Sequence, residues 1–150
     1  VTFCENEISL VDVRHPLLVL NSQNTPQNNV VANSVQLSKD KSLLLLSGPN
    51  AGGKTVLLKS IGLAAHMARV GLPICSAEGS RLPFFKDIHV SIGDSQSVDQ
   101  HLSTFAAHLS ILNNATLALG TEHLLLIDEI CGSTDPEEGS ALARAFIEKY

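Results

Sequence analysis

Gly48-Pro49-Asn50-Ala51-Gly52-Gly53-Lys54-Thr55 places glycines, a lysine and a hydroxyl residue in the pattern GxxxxGK[ST]. Glycines at this spacing let the backbone curl so that successive N–H groups point at one centre, which cradles phosphate oxygens. Lys54 would reach the β- and γ-phosphates of a nucleotide, and Thr55 would ligate magnesium. The bland alternative is an ordinary glycine turn. A second constellation, Asp128-Glu129, follows the apolar run Leu124-Leu125-Leu126-Ile127. Asp128 would hold the magnesium shell through water, and Glu129 would position or deprotonate an attacking water. Here the alternative is a solvated acid pair at a strand end. Taken together, the chemistry is binding of ATP or ADP with Mg²⁺ and hydrolysis, with Lys54 and Glu129 as the catalytic pair.

Such residues work only if the chain positions them. Leu43 to Leu46 is a continuous apolar run ending at a glycine, which predicts a central strand covered on both faces, directly before the phosphate loop. Lys54 to Val70 is apolar almost all round and closes at Gly71, which predicts a largely buried helix whose N-terminus adds its positive end to the loop. Ile88, Val90 and Ile92 alternate within Phe84 to Ile92, a second strand. Phe105, Leu109 and Leu112 return to helical period behind Ser103 or Thr104 as cap. His123 to Ile127 predicts a third strand. Asp135-Pro136-Glu137-Glu138 then supplies a cap, a first-turn proline and two acids before a helix to Tyr150. The alternation predicts an α/β domain, a P-loop NTPase with a mainly parallel sheet and flanking helices. Residues 20–29, rich in Asn, Gln and Ser, predict an exposed loop.

A chain of 150 residues with 44% hydrophobic content buries one sizeable core, so residues 1–150 are expected to form a single domain. Ten Lys and Arg against fifteen Asp and Glu give a net charge of −5. That is the wrong sign for a surface that attracts nucleic acid or anionic lipid over its whole extent. Cys4, Cys75 and Cys131 form neither an even framework nor a CxxC pair. No long uncharged apolar run reads as a membrane span, so a soluble cytoplasmic setting is expected. His15, His66, His89, His101, His108 and His123 show no metal-binding spacing, which leaves helix or strand surface as the default for each.

The order of motifs makes the resemblance specific. Gly48 to Thr55, Gly93-Asp94 through Leu102-Ser103-Thr104-Phe105, Asp128-Glu129 and Thr134-Asp135-Pro136-Glu137-Glu138-Gly139 together resemble the ATPase core of the MutS family. Thr-Asp-Pro-x-Glu-Gly and Ser-Thr-Phe-x-x-His are most similar to its second bacterial paralogue. Arg14-His15-Pro16 and Val30-Val31-Ala32-Asn33 also resemble segments upstream of that family's phosphate loop. The resemblance implies an ABC-ATPase-like core that homodimerises through its ATPase face, Ser103 reaching the partner's nucleotide in trans. It implies that Asn50 touches phosphate or partner, and that Val30 and Val31 lie against the adenine. A buried β-branched pair in a strand remains the other reading of those valines, and a plain helix cap the other reading of Ser103. The chain departs from the family at Cys131 and Ser133, where glycines are usual, and Cys131 is read as a buried thiol or a redox-sensitive one.

The resemblance further implies that DNA or ribosome contacts, a nuclease-like domain and a following strand with a switch histidine belong to regions outside residues 1–150, and that no membrane partner is involved. The parent would then be a DNA-binding recombination, repair or endonuclease protein, or an rRNA-binding one. Two alternatives compete. A transporter or chromosome-organising ABC subunit would carry Leu-Ser-Gly-Gly before its acid pair, where this chain has Leu-Ser-Thr-Phe. A nucleotide-sensing dimerisation module would bind without much turnover.

Overall fold

The computed structural model describes residues 1–23, 29–49, 52–92, 110, 112, 113, 122–130 and 136–148. Their architecture is mixed α/β. A four-stranded sheet has the order β1 (Thr2–Phe3), β4 (Arg81–Leu82), β2 (Glu7–Val13), β3 (Asn33–Ser38). A second sheet pairs β5 (Asp87–Ser91) with β6 (His123–Ile127). Helices α1 (Pro16–Gln23), α2 (Lys54–Arg69) and α3 (Pro136–Ile147) complete the described elements.

Strand β2 shows how sequence sets register. Ile8 and Leu10 obey the two-residue period and are buried, but the next buried side chain is Val13, one position late. The ladder to β3 shifts between Leu10 and Val13, and Asp12 takes a positive φ of 51° there. This irregularity re-aims Val13 into the core. Backbone groups freed by the shift find other partners. The Val11 N–H donates to Ser80 Oγ (3.0 Å), the Asp12 N–H to Ser34 Oγ (3.1 Å), and Val11 O accepts from the Ala77 N–H (2.8 Å).

Helix α2 lies against both sheets, touching β2, β5 and β6. Its buried face is Ile61, Ala64, Ala65 and Ala68, the i, i+3, i+4, i+7 stripe, while Val56, Lys59, His66 and Arg69 are exposed. It is therefore one-faced rather than apolar all round. Small residues let it approach closely: a Cβ on Gly62 would stand 2.7 Å from Leu126 Cδ1. One hydrophobic cluster joins Leu10, Val13 and Val35 of the larger sheet to Ile61 and Ala65 of α2 and to Leu124 and Leu126 of β6.

Several expectations need correction. Leu43 to Leu46 forms no named strand; residues 42–47 carry no ladder, and Leu43, Leu44 and Leu45 are 45%, 41% and 72% exposed. An apolar run becomes a central strand only when strands flank it, and none pairs with this one among the described residues. The described ladders do not form a mainly parallel sheet: β1·β4 and β5·β6 are parallel, β2·β3 and β2·β4 antiparallel. Residues 20–23 belong to α1, so the loop expected over 20–29 starts later, and its positions 24–28 lie outside the described residues. The second strand is confined to Asp87–Ser91, and the last helix ends at Ile147. The helix expected from Ser103 falls largely outside the description, although Ser110, Leu112 and Asn113 are helical.

Candidate functional site

The phosphate-loop motif runs directly into α2. Gly53 precedes the helix with φ 79°, the left-handed region that a side chain resists, and its carbonyl accepts the first helical hydrogen bond, from the Leu57 N–H (2.9 Å). Gly52 donates its N–H to Pro49 O (2.9 Å), and a Cβ at Gly52 would stand 3.0 Å from that same oxygen. The positive φ of Gly53 suits a motif glycine, and the loop is wound tightly enough to favour a second one at Gly52, a position the motif leaves open. Lys54 Nζ folds back into the turn and donates to the carbonyl oxygens of Gly48 (2.6 Å) and Pro49 (2.7 Å). A cation held by two neutral carbonyls stands ready for an anion in the same place.

The acid pair approaches from the other sheet. β6 ends at Ile127, and the Asp128 N–H continues the ladder by donating to Ser91 O (2.8 Å). This orients the Asp128 carboxylate toward α2, where Thr55 Oγ1 donates to its Oδ2 at 2.5 Å. Two residues 73 positions apart are thereby joined. Glu129 follows with φ 52° and is exposed. Among the described residues no group of three or more His, Cys, Asp or Glu is placed to hold a metal. A hydroxyl and a carboxylate suit a hard cation that keeps most of its shell as water and phosphate oxygen.

Two cavities meet at Lys54. One, of about 970 Å³, is lined by Gly52, Gly53 and Lys54 and by His15, Val30 and Val31. The other, of about 790 Å³, runs from Gly48 and Lys54 along β6 past Asp128 and Glu129. The structure therefore brings Gly48, Pro49, Gly52, Gly53, Lys54, Thr55 and Asp128 together, with Glu129 beside them and Val30 and Val31 across the first cavity. The two valines precede β3 and do not sit in a strand, and Val31 is 75% exposed, so the buried-pair reading does not hold. Asn50, Ala51, Ser103 and Cys131 lie outside the described residues, as do His101 and His108.

Three histidines are not the plain surface residues that their spacing suggested. His15 Nδ1, His89 Nε2 and His123 Nδ1 are buried without a hydrogen-bond partner. The rings of His89 and His123 stack at 6.2 Å and 22°, and Asp87 Oδ2 lies 3.4 Å from His123 Nδ1, a close approach that lacks hydrogen-bond geometry. A diagonal pair across parallel strands leaves no sequence signal until the register is known.

The chain was compared with known proteins. The family model described as MutS domain V matches residues 44–150. Endonuclease MutS2 of Streptococcus thermophilus (strain ATCC BAA-491 / LMD-9) is 43% identical over 141 residues, covering 94% of this chain and 17% of that protein. Endonuclease MutS2 of Streptococcus sanguinis is 43% identical and that of Streptococcus mutans 42%, each over 144 residues, 96% of this chain and 17% of theirs. The chain thus spans about a sixth of the length of these relatives. No helix among its described residues is long and apolar enough to cross a membrane. With the family model matching well over half of its residues and these relatives aligned along nearly all of it, the chain belongs to the MutS domain V family, on its MutS2-like branch.

Proposed function

We propose that this chain binds ATP with Mg²⁺ and hydrolyses it as a P-loop NTPase of ABC type, two copies completing each other's sites. The observation that carries the reading is the meeting of Thr55 with Asp128 beside a lysine folded into its own glycine turn. A phosphate chain and a hard cation would give each of these groups a common task. The backbone of residues 48–53 and Lys54 would hold the phosphates, Thr55 and Asp128 the magnesium shell, and Val30 and Val31 the adenine. Bound magnesium would neutralise charge on the β- and γ-phosphate oxygens. Glu129 would hold the attacking water and take its proton. Ser103 of a second copy would complete the site.

Within the longer polypeptide this activity would drive a DNA-transaction or ribosome-associated machine, with homodimer contacts tightening on ATP and loosening on ADP. Relatives named as endonucleases support the DNA setting. The first test is calorimetric titration of ATP and ADP, with and without Mg²⁺, into the chain and into Lys54→Ala. Saturable binding that weakens at least tenfold in the variant is expected, since a charge-assisted hydrogen bond to phosphate is worth about 1.5–3 kcal/mol. Equal affinity in both proteins would sink the phosphate-loop assignment. No binding to either would sink the nucleotide reading for residues 1–150.

A further inference from the structure

The cavity beside the phosphate loop is also lined by His15, a polar side chain with no assigned task. His15 stands at the start of α1, its carbonyl accepting the Val19 N–H (3.1 Å), and its side chain forms part of the cavity wall with Asn21, Asn29 and Val30. Of its ring nitrogens, Nδ1 is buried without a partner. A proton on Nδ1 would leave a buried donor unmatched, the rarer and costlier kind of orphan, whereas a bare Nδ1 lone pair is the milder one. The proton is accordingly assigned to Nε2, which makes that nitrogen a donor. Nε2, unlike Nδ1, is not among the buried unpartnered atoms of the described residues.

We infer that His15 Nε2–H donates a hydrogen bond to the nucleoside part of the bound nucleotide, either a ribose oxygen or an acceptor nitrogen of the base. The inference rests on the nucleotide reading above and goes beyond it by assigning a residue to what the phosphate loop does not touch. The loop residues Gly52 to Lys54 line the same cavity as His15 and residues 29–31. A triphosphate held at Gly52 to Lys54 would have its sugar and base in the cavity that the imidazole lines. Valines can exclude water from a base but cannot hydrogen-bond through their side chains, so a polar group on that wall is where nucleoside identity would be read.

The test compares His15→Phe, which keeps a ring but removes the donor, with His15→Gln, which restores a side-chain N–H. Calorimetric affinities are measured for MgATP, for Mg-2′-deoxyATP and for inorganic tripolyphosphate, which has no nucleoside. His15→Phe is expected to weaken MgATP about tenfold, a loss of about 1.4 kcal/mol. Tripolyphosphate should bind as it does to the unaltered chain, and His15→Gln should recover part of the loss. If the unaltered chain itself loses affinity for 2′-deoxyATP and His15→Phe no longer distinguishes the two nucleotides, the acceptor is the ribose; a loss equal for both assigns it to the base or another sugar oxygen. Equal weakening of MgATP and tripolyphosphate, or no weakening of either, overturns the inference. Failure of the unaltered chain to bind any of the three overturns instead the nucleotide reading on which it rests. Tripolyphosphate binding by His15→Phe also reports that the variant is folded.

Discussion

Glu129 holds a position that its own backbone resists. Its φ of 52° lies in the left-handed region, which costs a non-glycine residue about 1–2 kcal/mol. A family that merely needed a turn after β6 could place glycine there. Glu129→Gly should therefore raise stability by about 1 kcal/mol in urea denaturation. In the same residue, Glu129→Gln should keep ATP binding and lower turnover by about 10²–10⁴. Unchanged turnover would remove Glu129 from the chemistry and favour a nucleotide sensor. Much of this site was legible in the residues themselves. Gly48 to Thr55 is marked by its spacing, and Asp128-Glu129 by the apolar run before it. The unpaired nitrogen of His15 was not legible, because burial of one ring nitrogen depends on packing that no local pattern records.

Between elements, the contact that matters most to the site is that of α2 with β6. Thr55 opens the helix and Asp128 follows the strand, so their 2.5 Å hydrogen bond survives only while the two stay close. Gly62 maintains that approach, its missing Cβ replaced by Leu126 Cδ1, and Leu126 is buried at 4% exposure. Gly62→Ala gains about 1 kcal/mol of helix propensity but overpacks the contact at a cost of about 1–3 kcal/mol. A net loss of about 1 kcal/mol is expected. Leu126→Val should cost less in the Gly62→Ala background than alone, by at least about 0.5 kcal/mol. A double-mutant cycle in urea that proves strictly additive would mean that this contact does not set the spacing. The ends of α2 and β6 were readable because each is an apolar segment with a clear stop, Gly71 after the helix and the acid pair after the strand. The strands β1 and β4 were not, since two residues contain no period, and Leu43 to Leu46 misled because burial on both faces is a property of neighbours rather than of the run itself.

For the molecule as a whole, a nucleotide bound as proposed would link its two sheets. The wall with His15, Val30 and Val31 belongs to segments flanking β2 and β3, whereas Asp128 follows β6, and α2 with Lys54 and Thr55 lies against both sheets. A ligand held by all three should stabilise the whole cooperative unit and not the loop alone. At a free concentration of one hundred times Kd, binding adds about 2.7 kcal/mol, which for a chain of this size raises Tm by about 5–11 °C. Hydrogen exchange locates the gain. MgATP should slow exchange in β2 and β3 as well as in β5 and β6, because opening either sheet would release part of the same site. At the same free MgATP concentration the Lys54→Ala variant, weakened at least tenfold, should keep at most about 1.4 kcal/mol of the gain, hence at most about half the Tm shift and added protection. Protection confined to β5 and β6 would mean that the base side of the cavity contributes no contact, leaving the phosphates as the only part of the nucleotide that this chain holds.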